Sequence, residues 1–336
     1  MGISFPRAAW LPRPEDEFLH EPTGDPAMAW KETSHFNVFD LDEQFAISVH
    51  MTLSANRTPN SRIAVVARLG GRETGHVRRE TAIDHDSTLG NSLVRVEILN
   101  STWDDDHHLR LVGDLPDAEF DITLRGHRRG VLWDTMFPGF YQAGRGDSHT
   151  YGHAEQSLRF EGTFAWRGEA KRTLSGVGWR DRGWGRRASA TSFPEPWDFA
   201  VGWLPDGATF TMCAFRQIEL PLDVPLPIGV WYSDRSGTVA AVGGRFEKDS
   251  AGWPTTVDLT LEDGRQVESK LQRRGFTIAP PWHDVDHERS SVSFLMREYF
   301  NEFIDAEGNT FPLYTIYGAP HLTDVTAAAR FVAASA

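Results

Sequence analysis

The densest concentration of chemically capable side chains is Ser175-Gly176-Val177-Gly178-Trp179-Arg180-Asp181-Arg182-Gly183-Trp184-Gly185-Arg186-Arg187, where four glycines interleave with two Trp, four Arg and one Asp. Repeated glycine weakens a strand and points to bulges or to the close approach of another group. An Asp among guanidinium groups is held ionised, whereas an Asp walled by indoles is pushed towards the neutral acid. Both kinds of neighbour are present. Asp181 is therefore either part of an Arg–Asp lattice pinning a strand crossing, or a proton donor. Upstream, His153-Ala154-Glu155-Gln156 leads into a strand, Ser157–Trp166. In extended chain His153 and Glu155 share a face, so the carboxylate can orient the imidazole for acid–base work. The alternative is a solvated strand end. Near the C-terminus Val292, Phe294, Met296, Glu298 and Phe300 fall on one face of a strand. A carboxylate in such a stripe is costly unless paired or protonated, which makes Glu298 a second candidate acid unless that face reaches solvent.

Two acid–His runs, Asp104-Asp105-Asp106-His107-His108 and His283-Asp284-Val285-Asp286-His287-Glu288, have the donor types of a metal site. In extended chain His283 and His287 share a face but lie too far apart for joint ligation without a bend, and both runs read as polar turns, so no metal ligands are assigned. No glycine-rich phosphate loop precedes a helix and no nucleophile elbow occurs, so no nucleotide cofactor and no hydrolytic triad is expected.

The elements that must position these residues are strands. Phe120, Ile122 and Leu124 alternate with Glu119, Asp121 and Thr123, and Val257, Leu259 and Leu261 alternate with Asp258, Thr260 and Glu262. Hairpin signals punctuate the chain at Pro205-Asp206-Gly207, Asp234-Arg235-Ser236-Gly237, Glu262-Asp263-Gly264 and Ala306-Glu307-Gly308-Asn309. The pattern predicts an all-β protein of two successive antiparallel barrels, divided near the polar, glycine-rich stretch 143–148. The domains are accordingly read as 1–148 and 149–336, with an irregular arm up to about Pro26 and a short helix over the Ala-rich tail 324–336. Twelve Trp and 21 Phe are enough either for large β cores or for a cavity walled with rings.

A net charge of −13 argues against nucleic acid and against anionic membrane surfaces. The single cysteine, Cys213, permits no internal disulfide and fits a reducing compartment. The N-terminus carries charges and prolines where a signal peptide has an apolar run, and no stretch is long and apolar enough to span a bilayer. The expected location is cytoplasmic.

His153, Glu155 and Gln156, followed by Gly176, Gly178, Arg180, Asp181, Trp184, Gly185 and Arg187, resemble the signature of the AttH and carotenoid 1,2-hydratase-like proteins. That group includes kievitone-hydratase-like proteins and lipocalin-like cyclases. Trp30-Lys31-Glu32 and Phe36-Asn37 fit it loosely. Two positions depart from the pattern: Ala154 stands where Tyr is usual, and Arg182-Gly183 where His-Ser is usual. The resemblance implies two lipocalin-like barrels, a site for an apolar, terpenoid-like small molecule and no redox cofactor. Its members divide among hydration, cyclisation and other roles. For acid-initiated hydration or dehydration, Asp181 and Glu298 are the candidate acids and His153 with Glu155 the candidate water activator. Trp179 and Trp184 are expected to line the site, and Arg180, Arg187 and Gln156 to bind substrate or support Asp181. A non-catalytic carrier of an apolar ligand and a metal-dependent lyase are the alternatives.

Overall fold

The computed structural model describes residues 11–21, 29–53, 61–80, 83–85, 88–132, 152–187, 197–215, 226–279 and 292–322. Apart from one 3-10 turn at Pro14–Glu17, the elements are strands. The chain divides into two compact units, 1–188 and 189–336. In the first run β1 (Ala29–Asp40), β2 (Phe45–Leu53), β3 (Ser61–Leu69), β4 (Arg72–Glu80), β5 (Ile83–His85) and β6 (Thr88–Gly90). They are followed by β7 (Val94–Asn100), β8 (His108–Asp114), β9 (Ala118–Gly126), β10 (Val131–Leu132), β11 (Gly152–Trp166) and β12 (Arg172–Arg187). The second unit holds β13 (Trp197–Trp203), β14 (Thr209–Phe215), β15 (Leu226–Asp234), β16 (Gly237–Lys248), β17 (Pro254–Leu261), β18 (Gln266–Ile278), β19 (Val292–Asp305) and β20 (Thr310–Leu322).

The division falls at 188 rather than near 148 because of strand pairing. β12 pairs with β1 along eleven residues, from Ala29 opposite Arg187 to Phe39 opposite Val177, and β11 pairs with β9. These two long strands therefore close the gap between the start and the end of the first sheet, whose order is β4-β3-β2-β1-β12-β11-β9-β8-β7-β6-β5. The polar stretch 143–148 and the tail 324–336 lie outside the described residues.

The first sheet curls round one apolar core. Phe36 and Val38 of β1, Ile47 and Val49 of β2, Phe120, Ile122 and Leu124 of β9, and Leu158 and Phe160 of β11 meet there. The alternation expected over Ala118–Gly126 is present, with every second residue buried. The second unit is a closed eight-stranded antiparallel barrel, β13 to β20 in chain order, with β13 pairing back to β20. Phe210, Met212, Val257, Leu259, Leu261, Phe303, Phe311 and Leu313 fill it. Its hairpins turn where the sequence signals them: Gly207, Gly237, Gly264 and Gly308 all take positive φ, as tight turns require. The fold is thus all-β with two lipocalin-like barrel units. Among the described residues no helix is long and apolar enough to cross a membrane.

Candidate functional site

Strand pairing fixes which side chains can meet, because residues directly opposite each other in a sheet share a face. One row crosses four adjacent strands: Glu155 of β11 lies opposite Asp181 of β12, which lies opposite His35 of β1, which lies opposite His50 of β2. The row on one side reads His153, Gly183, Thr33 and Thr52, and the row on the other reads Ser157, Trp179, Asn37 and Ser48. Ten of these twelve positions are polar, although most are buried. The alternate residues of the same strands, Phe36, Val38, Val49 and Leu158, point the other way into the apolar core. The polar patch therefore lies on the face of the sheet turned away from that core.

Within the patch the Nε2 atom of His153 lies 3.3 Å from Glu155 Oε1 and 3.8 Å from Asp181 Oδ2. The Trp179 indole N–H donates to Glu155 Oε2 at 3.0 Å. Glu155 is 2% exposed, whereas the side chains of His153 and Asp181 are 18% and 20% exposed. Glu155 is thus the rear, orienting group, and His153 and Asp181 face outward. Further along the row the amide of Asn37 donates to His35 Nε2 at 2.7 Å, and Ser48 Oγ lies 3.3 Å from the same nitrogen. With Nε2 accepting, the proton of the neutral ring sits on Nδ1. Burial pushes the His35 pKa well below the ordinary imidazole value, so the ring is neutral. Its edge packs against Trp179 at 5.2 Å and against His50 at 5.8 Å.

The inward face of the same strands is an anchor. Arg180, fully buried, donates to both oxygens of Glu17 at 2.6 and 2.9 Å, and its guanidinium lies 4.1 Å from the Trp103 ring centroid. Burial alone would raise the pKa of Glu17, but the Arg180 guanidinium outweighs it and the carboxyl is held below its usual range. Arg182, also fully buried, binds Glu32, the carbonyls of Phe18 (2.8 Å) and Thr33 (3.2 Å), and that of Gly183 (3.2 Å). His20 stacks on Trp184 at 4.4 Å and sets its two ring nitrogens 3.4 Å from Glu32 and from Asp16. Burial works to lower the His20 pKa, yet these two carboxylates bring it out raised. His107 accepts the Trp103 backbone N–H at Nδ1 (3.1 Å), and burial lowers its pKa to about 4. Residues 13–20 are therefore strapped to β12 by buried charge.

The expected site residues separate accordingly. His153, Glu155, Asp181 and Trp179 are brought together. Arg180, Trp184 and Gln156 lie on the opposite face, where the Gln156 amide donates to the carbonyls of Asp104 (3.1 Å) and Arg128 (3.0 Å). Arg187 lies in β12, and its side chain is outside the described residues. Glu298, fully buried, belongs to β19 of the second unit, opposite Ile316 and Ile278. Of the acid–His runs, 283–288 lies outside the described residues, and in the other Asp104 caps its own turn while His107 joins the anchor. No group of three His, Cys, Asp or Glu among the described residues is placed to hold a metal ion. His35, His50 and Ser48 were not singled out from the sequence. A lone His on a strand carries no signal until register sets it opposite an Asp.

The close approaches implied by the glycines are present. A Cβ on Gly176 would lie 2.4 Å from the Phe39 carbonyl oxygen, one on Gly178 2.8 Å from that of Asn37, and one on Gly152 2.2 Å from the Trp184 ring. A side chain at 182 points inward, so Arg182 in place of the usual His removes no group from the outward rows, whereas Gly183, where Ser is usual, leaves its place beside His153 and Thr33 without a side chain.

A lipocalin-like double-barrel fold carrying a buried row of acids and imidazoles defines the class. Over residues 13–300 the chain matches the family described as a domain of unknown function, DUF7064, and it belongs to that family. Among solved structures it is similar to an AttH protein of Nitrosomonas europaea, at 14% identity and TM-score 0.57, covering 92% of this chain and 96% of that one. It is similar also to CghA in complex with Sch210972, at 10% identity and TM-score 0.55, with 88% and 89% covered. Kievitone hydratase from Nectria haematococca aligns at 11% identity and TM-score 0.49, with 88% and 90% covered. The resemblance carried by the central motif is thus met at the level of the fold. No curated protein matches the chain.

Proposed function

We propose that the protein is a cofactor-independent lyase or isomerase that moves protons on an apolar, terpenoid-like substrate at the His153–Glu155–Asp181 cluster. The observation that carries this reading is the Nε2 atom of the partly exposed His153, 3.3 Å and 3.8 Å from the carboxylates of Glu155 and Asp181 on neighbouring strands. Such a cluster can hold one proton and pass it on, and general acid–base groups of this kind contribute about 10²–10⁴-fold to rate. In hydration, Asp181 as the acid gives its proton to the alkene carbon. His153, oriented by Glu155, takes a proton from the water that adds to the cation, and returns it to Asp181. One alkene and one water become one alcohol, and the cluster ends as it began; dehydration is the reverse. Trp179 keeps Glu155 in place by its indole N–H and supplies an aromatic flank. Similarity to proteins described as AttH and CghA supports a barrel fold suited to such chemistry and does not select the reaction.

The test incubates wild-type protein, Glu155→Gln and Asp181→Asn with a lipophilic extract of the source cells in deuterated water, read by mass spectrometry. The expected result is a compound that gains or loses water, or takes up deuterium at carbon, with the wild type and with neither variant. Recovery of bound compounds chemically unchanged, and equally from all three proteins, would establish a carrier instead.

A further inference from the structure

We infer that the first sheet carries a binding site for a small phosphate-bearing anion, built on Arg125 of β9 and Arg159 of β11. The site goes beyond the reaction proposed above and does not rest on it. The two arginines lie directly opposite each other on neighbouring strands, and His108 of β8 lies opposite Arg125 on its other side. Leu109, Leu124, Leu158 and Phe160, their neighbours along the strands, point into the apolar core, so the three basic residues point away from it. Both arginines are exposed. Like charges set directly opposite in a sheet repel and weaken the pairing. Among the described residues no carboxylate relieves this, whereas Arg68, Arg72, Arg110, Arg167 and Arg172 of the same unit each reach one. Glu161 shares the face two residues beyond Arg159 and pairs with neither arginine; its charge acts on His108. Glu155 shares it four residues back, about 13 Å along the strand, which exceeds the screening length of about 8 Å at physiological salt.

Arg159 is also preset. Its Nε donates to Nδ1 of His127 at 2.8 Å, and His127 is 6% exposed, with its backbone N–H bonded to the Ser157 carbonyl at 2.9 Å. That contact fixes the plane of the guanidinium and leaves both terminal nitrogens, Nη1 and Nη2, without a partner among the described residues. Such an end presents a fork to two oxygens. Arg128, next in the chain to His127, adds a buried positive charge. Its Nη1 donates to the His127 carbonyl at 2.6 Å, its Nε has no partner, and no carboxylate among the described residues reaches it. Arg129 follows, exposed, and acts on Asp104. A tetrahedral phosphate can offer separate oxygens to both guanidiniums, whereas a carboxylate spends its two oxygens on one fork. The net charge of −13 repels nucleic acid and anionic bilayers, so this local excess of cations suits a small anion.

Isothermal titration calorimetry of the full-length protein with inorganic phosphate, at constant ionic strength in chloride, tests the site. Wild type is expected to bind phosphate about ten-fold more tightly than acetate, the worth of one further charge-assisted hydrogen bond. Arg125→Gln and Arg159→Gln are each expected to weaken phosphate binding by about ten-fold or more on the same ground. Arg110→Gln removes an arginine of the same face that is already bonded to Asp121 and Glu97, and it is expected to change phosphate affinity by less than about two-fold. Phosphate should also raise the thermal midpoint of the first unit in wild type and not in Arg125→Gln or Arg159→Gln. No binding of phosphate by wild type, equal binding of acetate, or affinity that survives both substitutions overturns the inference. So does a loss in Arg110→Gln as large as in Arg159→Gln, because net charge alone would then account for it. Circular dichroism separates lost binding from lost fold, and either arginine variant carries the test if the other is unfolded.

Discussion

Removing the carboxylate from Glu17 leaves Arg180 with its charge buried and its bidentate partner gone. The pair is enclosed, with the two side chains 0% and 1% exposed and contacts of 2.6 and 2.9 Å. Breaking such a pair from one side costs about 3–5 kcal/mol, because the remaining ion keeps its desolvation penalty without compensation. Stacking of Arg180 on Trp103 at 4.1 Å survives the change and places Glu17→Ala towards the lower end of that range. For a unit of this size each kcal/mol moves the midpoint by roughly 2–4 °C, so Glu17→Ala is expected to lower the first thermal transition by roughly 6–20 °C. Differential scanning calorimetry is the assay. The second-unit transition acts as an internal reference. The paired replacement Glu17→Leu with Arg180→Met removes both charges and places two apolar chains against Trp103 and Phe36. It is expected to recover most of the loss. A drop below about 1 kcal/mol in Glu17→Ala, or a double variant no better than the single, would refute the view that buried charge straps residues 13–20 to β12.

Other consequences can be checked directly. His107 is neutral when folded, with a pKa of about 4 against an ordinary value of 6.5, and His35 shifts in the same direction. The unfolded chain binds these protons first, so stability should fall as pH drops from 6.5 to 4, by about 3 kcal/mol for His107 alone; urea denaturation across that window measures it, and His107→Gln should flatten the slope. His20 runs the other way. Its raised pKa contributes stability that is fully present below pH 6.5 and is lost as pH rises through the folded value, and His20→Phe should abolish that alkaline decline in the same assay. Gly152→Ala drives a methyl group into the Trp184 ring and should shift the Trp184 indole resonance in NMR spectra and destabilise by about 1–3 kcal/mol. Glu155→Gln keeps an acceptor for the Trp179 N–H but loses its charge beside His153. Turnover of whatever compound the wild type consumes should fall about 10²–10⁴-fold, with the melting temperature nearly unchanged.

Much of the fold was legible because it depends on local chemistry. Alternation over 118–125 and 257–262 and the four glycine-bearing turns each specify a strand or a hairpin without reference to the rest of the chain. The site was half legible. His153 and Glu155 share a face by the period of any strand, and Asp181 stands out among its neighbours. What local chemistry could not supply was pairing. That β1 lies against β12, some 145 residues away along the chain, puts His35 opposite Asp181, and nothing in Thr33-Ser34-His35-Phe36 announces it. The same limit explains Arg180 and Arg182. They flank Asp181 in sequence and turn away from it in space, because adjacent residues of a strand point to opposite faces.

That alternation gives β12 two separable inheritances. Its even positions, 180, 182 and 184, hold the anchor together, and its odd positions, 179, 181 and 183, belong to the outward polar rows. Point substitutions at odd positions can change the outward rows while the anchor stays intact, and those at even positions are tested mainly for foldability. A single inserted residue upstream of 179 would exchange the two sets, burying Asp181 in the anchor and turning the arginines outward. Descendants of this chain should therefore diversify along β12 by replacement and almost never by insertion or deletion.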